Sequence, residues 1–250
     1  MLRESPKKDK NYANPTKGQL FWRVQGECWL RAATSYVMYL FMSMIALTMQ
    51  AISGENTLWL RIALGASCIL CGAAYNGFLC YNRGQKHYES LLLGKIYRRN
   101  AALGIETGGT YRAHQEYRVW KGFLIGGIVS LPAIVMGIIS AFTDELNFVY
   151  LVAAGWAYLP LTWARAIAQK TFGEGATVNG AWSLVMILVP VLVSGICYIL
   201  GARRKKAETE ALEARTAEVE RLQREQQLRQ EEERLRAEKK RKEARTEKRK

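Results

Sequence analysis

Two cysteines one helical turn apart are the first residues in this chain that could do chemistry. Cys68 and Cys71 form a Cys-Ile-Leu-Cys motif, a spacing that thiol redox proteins use. The motif lies inside an apolar block, where small residues at helical spacing serve close packing between helices. A disulfide across this spacing also requires a distorted helix. We therefore interpret Cys68, Gly72 and Asn76 as a helix-packing row and keep thiol redox chemistry as a remote alternative.

The histidines and carboxylates form no strong metal-binding or acid–base pattern. The chain has two histidines, His87 and His114, and each precedes a glutamate (Glu89 and Glu116) by two residues. Histidines without cysteine partners at metal-ligand spacing are a weak zinc signal, so we expect both to lie on the surface. Aspartate occurs at only two positions, which disfavours carboxylate-based metal chemistry. We expect no enzyme activity, no metal and no cofactor.

Long apolar blocks set the fold class. Four blocks of 21 to 25 residues, each able to cross the ~30 Å hydrocarbon layer as a helix, occupy 32–53, 57–81, 122–142 and 182–202. All but 57–81 lack ionisable acids, bases and histidines, which disfavours proton relays and transport of charged substrates. The sequence predicts an all-α integral membrane protein with four transmembrane helices and a long charged cytoplasmic C-terminal helix.

A fifth apolar block, 147–164, is short, rich in aromatic residues and contains Pro160. The segments 1–31, 82–121 and 203–250 hold 7, 8 and 18 of the 36 Lys and Arg residues. The positive-inside rule places all three in the cytoplasm only if 147–164 re-enters or lies in the interface. We therefore predict a multi-pass protein of the plasma (inner) membrane with both termini cytoplasmic. Five full spans are the alternative.

This topology divides the chain into five parts. They are a basic N-terminal segment 1–31 with an interfacial helix from about 17, a transmembrane hairpin 32–81, a cytoplasmic amphipathic loop 82–121, a second transmembrane region 122–202 and a charged tail 203–250. In the loop, a helix over 86–103 and an extension of the third span back to Tyr111 are expected. We predict that basic residues of the loop and of the start of the tail contact the cytoplasmic membrane surface: Lys95, Arg98, Arg99, Arg203, Arg204, Lys205 and Lys206. Packing of the loop helix against the tail is the alternative.

Small residues also line the third span. Gly122, Gly126 and Ser130 stand four residues apart, the arrangement that lets transmembrane helices approach closely. With the row on the second span, they predict that these two spans form the tightly packed centre of the bundle. The same faces leave open the formation of a homo-oligomer.

The tail is composed of strong helix formers. Residues 207–243 contain neither Gly nor Pro, and Glu precedes a basic residue by four positions at Glu220/Arg224 and at several later pairs. Leu212, Val219 and Leu222 fit a coiled-coil seam, but the pattern lasts barely two heptads. We favour a charge-paired single helix over a short coiled coil.

The tip of the tail is strongly cationic. Residues 236–250 contain nine basic residues and three Glu. We predict that the basic ones bind a polyanion, namely anionic lipid, RNA or the ribosome: Arg236, Lys239, Lys240, Arg241, Lys242, Arg245, Lys248, Arg249 and Lys250. A solvated, non-binding end is the alternative.

These observations predict a non-enzymatic membrane anchor or assembly factor. Its partners would be the lipid bilayer and a cytoplasmic protein or polyanion, recruited through the tail. A small oligomeric pore or transporter for a neutral solute is the second hypothesis.

Overall fold

The computed structural model describes residues 15–52, 58–105, 111–142, 148–173 and 178–247. Every regular element in these ranges is helical. The elements are α1 (Lys17–Ile52), α2 (Leu58–Ala102), a 3-10 turn (Ala113–Gln115), α3 (Trp120–Phe142), α4 (Phe148–Phe172), a second 3-10 segment (Gly180–Ile187) and α5 (Leu188–Glu247). Two compact units divide the chain at residue 204: a helical bundle up to Arg204 and a tail from Lys205.

Four stretches of the described residues are long and apolar enough to cross a membrane. They lie within Lys17–Thr48, Leu58–Ala102, Trp120–Ile139 and Ala181–Leu235. Between 28% and 39% of each apolar window is buried inside the protein. The described ranges are therefore all-helical and contain four helices long and apolar enough to cross a membrane, as the sequence predicts.

The helices extend well past the predicted spans. α1 begins at Lys17, so it includes the residues expected to form a separate interfacial helix. α2 runs from the second span through the residues of the expected loop helix and ends at Ala102. A glycine costs a helix interior only about 1 kcal/mol, so Gly84 does not interrupt α2. The two short helices of the sequence interpretation are therefore continuous with their spans.

The segment before α3 differs from the prediction. A helix was expected from Tyr111, but the chain forms a 3-10 turn and α3 starts at Trp120. Bonds to other elements hold this conformation: the Tyr117 N–H donates to the His87 carbonyl at 3.0 Å, and Lys121 Nζ donates to the His114 carbonyl at 2.5 Å. Tertiary contacts have overridden the local helical pattern.

α4 is a core helix of the bundle. Six consecutive residues, 154–159, are buried. A helix lying in the membrane interface would instead leave one of its faces exposed. The Tyr36 hydroxyl donates to the Ala153 carbonyl at 2.9 Å, and the ring of Trp156 lies 5.0 Å from that of Tyr39. Non-helical dihedral angles at Ala154 (φ −136°, ψ 22°) bend the helix. A position in the membrane interface, one of the two predicted for 147–164, does not fit this burial, while the re-entrant and spanning arrangements stay predictions.

The N-terminal part of α5, residues 188–204, makes close contacts with α2 and α3. Gly84 of α2 lies against the Tyr198 carbonyl, and Gly126 of α3 lies against the backbone of Pro190 and Val191. The expectation that α2 and α3 form the packed centre is therefore wrong in detail. Their small-residue faces meet residues of α1 and α5, because each glycine admits a neighbouring helix there.

Candidate functional site

A buried histidine joins three helices at one end of the bundle. His87 of α2 is 4% exposed. Its Nε2 lies 3.0 Å from Oε1 of Glu27 on α1, and its Nδ1 lies 2.8 Å from the hydroxyl of Tyr198 on α5. The expectation that His87 lies on the surface is wrong, and its carboxylate partner is Glu27 rather than Glu89. Sixty residues separate His87 from Glu27, so no local spacing could indicate the pair.

This arrangement satisfies the imidazole in either protonation state. A carboxylate only accepts hydrogen bonds, so the Nε2 atom facing Glu27 carries a proton. The Tyr198 hydroxyl donates to Nδ1 when the ring is neutral and accepts from it when the ring is charged. The Glu27–His87–Tyr198 chain can thus hold a proton without losing a hydrogen bond.

Lys121 of α3 completes the cluster. Its side chain is 0% exposed, and its ammonium lies 3.6 Å from Oε2 of Glu27, an ion-pair contact longer than a hydrogen bond. The same ammonium donates to the His114 carbonyl. A buried ammonium needs such compensation, because leaving water costs several kcal/mol per ion. Glu27 and Lys121 therefore neutralise each other inside the bundle.

Residues 111–119, which precede α3, lie against the charged cluster. Burial lowers the pKa of the His114 imidazole below its ordinary value, and the nearby cations, including Lys121, act in the same direction against the attraction of Glu27. The Tyr117 ring stacks on Tyr198 at 5.2 Å, which places this segment against the N-terminal part of α5. His114 is half-buried, so the surface position expected for it is also wrong.

A carboxylate holds this connection to the end of α2. Glu116 Oε1 accepts from the Tyr111 hydroxyl at 2.6 Å and pairs with Arg98 at 2.6 Å. Burial and the Glu116 hydrogen bond raise the pKa of Tyr111 to about 12. Arg98, predicted to contact the membrane surface, is exposed and also pairs with Glu116. Lys95 and Arg99 are exposed.

Deeper in the bundle, a neutral polar pair bridges α2 and α5. Asn76 Nδ2 donates to the Ser194 hydroxyl at 2.8 Å, and both side chains are fully buried. The Cys80 thiol contacts Asn76 Oδ1 at 3.7 Å. Hydrogen bonds of this kind hold transmembrane helices together, so the Asn76 predicted as a packing residue contributes a specific interhelical bond.

The other predicted packing residues lie at helix contacts. Gly72 faces the Tyr39 ring, and Gly122 faces Tyr198. The Ser130 hydroxyl donates to the Gly126 carbonyl at 2.9 Å within α3. Cys68 packs at the margin of the core. These residues bring α1 and α5 against the two helices that carry them.

The two residues of the Cys-Ile-Leu-Cys motif differ in exposure. Cys68 is half-buried and Cys71 is exposed, and both are free thiols. Within the described ranges, no group of three or more His, Cys, Asp or Glu side chains is placed to hold a metal ion. The chemistry brought together here is that of ion pairing and proton binding.

The predicted basic residues of the tail are only partly described. Arg203 and Arg204 are exposed, and an Arg204 guanidinium nitrogen donates to the Tyr81 hydroxyl at 3.0 Å. Lys205 and Lys206 pair with Glu208 and Glu210 at 3.9 and 3.7 Å. The side chains of residues 236–247 and the whole of 248–250 lie outside the described part, so the predicted polyanion-binding residues have no observed contacts.

Comparison of the chain with models of known protein families, with curated protein sequences and with solved structures finds no match.

Proposed function

We propose that the protein is a non-enzymatic membrane anchor or assembly factor that presents a long charged helix to a cytoplasmic partner. The observation that supports this best is α5, which runs from Leu188 to Glu247 and joins an apolar membrane-type segment to a charged one in a single helix. Such a helix begins already nucleated at its apolar end, which removes the main cost of forming the charged part.

The bundle is built to hold the start of that helix. The Tyr198 hydroxyl bonds to His87, and Ser194 bonds to Asn76. Gly122 and Gly126 admit the same stretch of α5 against α3. These contacts come from two helices and concentrate on 188–204, as an anchor for a helical tail requires.

The surface of the tail suits a recruiting role. Its large apolar side chains are 52% to 60% exposed: Leu212, Val219, Leu222, Leu228 and Leu235. Ion pairs run along the helix at Glu220/Arg224 (3.6 Å) and Arg221/Glu225 (3.4 Å). A charged helix with spaced apolar residues can bind a partner helix or stay solvated, and its cationic tip favours an anionic surface.

The test compares two full-length variants with equal charge loss. In the tip variant, four basic residues become Gln (Lys239→Gln, Lys240→Gln, Arg241→Gln, Lys242→Gln). In the stalk variant, four Arg residues become Gln (Arg215→Gln, Arg221→Gln, Arg224→Gln, Arg229→Gln). The tip variant should bind anionic vesicles, RNA and ribosomes about tenfold or more weakly at low salt, because each surface charge is worth about 1 kcal/mol.

The stalk variant should keep most of that binding, since acidic residues surround its Arg residues. Equal losses in the two variants would refute a tip-specific site. Intact binding in both would remove the polyanion as a partner.

A transporter for a neutral solute is the second candidate. The fully buried Asn76–Ser194 pair favours it, because polar side chains at membrane depth line solute pathways. Reconstitution of the protein with residues 207–250 deleted separates the two functions. A transporter keeps its flux without the tail, whereas an anchor loses its partner.

A further inference from the structure

A groove runs along the outside of the bundle between α2 and α5. Its volume is about 440 Å³, and its walls include Leu70, Phe78 and Tyr81 of α2 with Val193 and Cys197 of α5. Leu70 and Phe78 are 68% and 62% exposed. Their large side chains form the rim, and Ala74 leaves the floor open between them.

The groove matches one leaflet of a bilayer in length. Leu70 and Tyr81 are 11 positions apart on one helix, which corresponds to about 16 Å at 1.5 Å per residue. Half of the ~30 Å hydrocarbon layer is about 15 Å. An acyl chain lying in the groove would therefore be covered over the full depth of its leaflet.

One end of the groove is cationic and polar. The Tyr81 hydroxyl accepts a hydrogen bond from Arg204, and Arg203 is exposed next to it in the sequence. Gly201 packs against the Tyr81 backbone, so α2 and α5 reach this point together. Tyrosine prefers the headgroup level of a membrane, and arginine binds phosphate oxygens with paired N–H donors.

We infer that this groove binds one anionic glycerophospholipid, with an acyl chain along Leu70–Phe78 and the phosphate at Arg204. The inference rests on the membrane insertion contained in the proposed function, but not on recruitment by the tail. Charge complementarity at one end and apolar lining along the rest select this occupant over a second copy of the chain.

Native mass spectrometry of the full-length protein tests the site. The tip variant serves as the background, so that the cationic tip does not contribute to binding. Phosphatidylglycerol and phosphatidylcholine with identical acyl chains are the two probes. We expect retention of phosphatidylglycerol at several-fold lower concentration, and Arg204→Gln should weaken its binding by about fivefold.

A paired substitution tests the groove itself. Ala74→Trp fills the floor and should abolish binding of both lipids, whereas Ala63→Trp, at an exposed position of the same helix outside the lining, should leave both unchanged. Equal affinity for the two headgroups, or equal behaviour of the two Trp variants, would overturn the inference. If tip and stalk variants recruit partners equally but the lipid preference remains, only the tail proposal fails.

Discussion

Lys121 shows how a single charge is tolerated inside an apolar bundle. Its ammonium is fully buried and is compensated by the Glu27 carboxylate and the His114 carbonyl. A pair of this kind contributes little net stability compared with apolar residues, but removal of one partner leaves an uncompensated charge. The cluster therefore makes docking of α1, α2, α3 and α5 mutually dependent.

We expect Lys121→Met or Glu27→Gln alone to lower the free energy of unfolding by about 3 kcal/mol, because each leaves a buried group without its partner. The double variant should cost at least about 1 kcal/mol less than the sum of the two. Denaturation in detergent by increasing SDS, followed by circular dichroism, measures all three.

The exposed pair Glu220–Arg224 is the control for this cycle. Glu220→Gln and Arg224→Gln should change the unfolding curve little and independently, because solvent screens the pair. Additive effects at Glu27 and Lys121 as well would contradict a coupled buried pair.

At the scale of the helices, glycines determine which elements touch. A Cβ on Gly84 would collide with the Tyr198 carbonyl, an atom of the backbone that cannot rotate away. A Cβ on Gly127 of α3 would meet nothing within 4 Å. Nothing in the sequence distinguishes the two glycines, but a side chain is excluded at Gly84 and has space at Gly127.

Gly84→Ala should destabilise the protein by about 1 to 3 kcal/mol through overpacking, because α2 and α5 must separate. Gly127→Ala should instead stabilise it by up to about 1 kcal/mol, since alanine favours the helix. The same SDS titration measures both. A gain in stability for Gly84→Ala would show that the contact of α2 with α5 is looser than described.

Helix identity was predictable from the sequence, whereas helix partners were not. Long apolar blocks with few or no charges are expected to be helical in a membrane, and this rule predicted the four apolar segments. The charged cluster joins Glu27, His87 and Lys121 across separations of 60 and 34 residues, with no periodic relation among them. One signal was present: Glu27 stands between Val24 and Cys28, two apolar residues four positions apart that are both buried in the structure.

At the scale of the whole molecule, the positions of the Lys and Arg residues are the main basis for predicting the topology. Apart from Arg61, Arg165 and Lys170, all 33 of the remaining Lys and Arg residues fall in three segments. This distribution is the basis of the prediction that four helices cross the membrane and that both termini face the cytoplasm.

Cysteine labelling in a cysteine-free background tests this arrangement. Lys10→Cys and Lys239→Cys should resist an impermeant maleimide applied to intact cells and react after permeabilisation. Asp144→Cys, in the turn predicted to face outward, is the control and should react in both conditions. Labelling of Lys10→Cys or Lys239→Cys from outside would favour five crossings.

Tyr198 comes late in the sequence of the bundle, and this has a consequence for biosynthesis. Lys121 leaves the ribosome 77 residues before Tyr198, a delay of about 4 to 15 s at 5–20 residues per second. Throughout that interval, His87 lacks the hydroxyl that bonds its Nδ1, and Asn76 lacks Ser194. Both bonds therefore form only after the start of α5 has been made, which ties completion of the cluster to the arrival of that helix. A chain that ends before Ser194 lacks both partners.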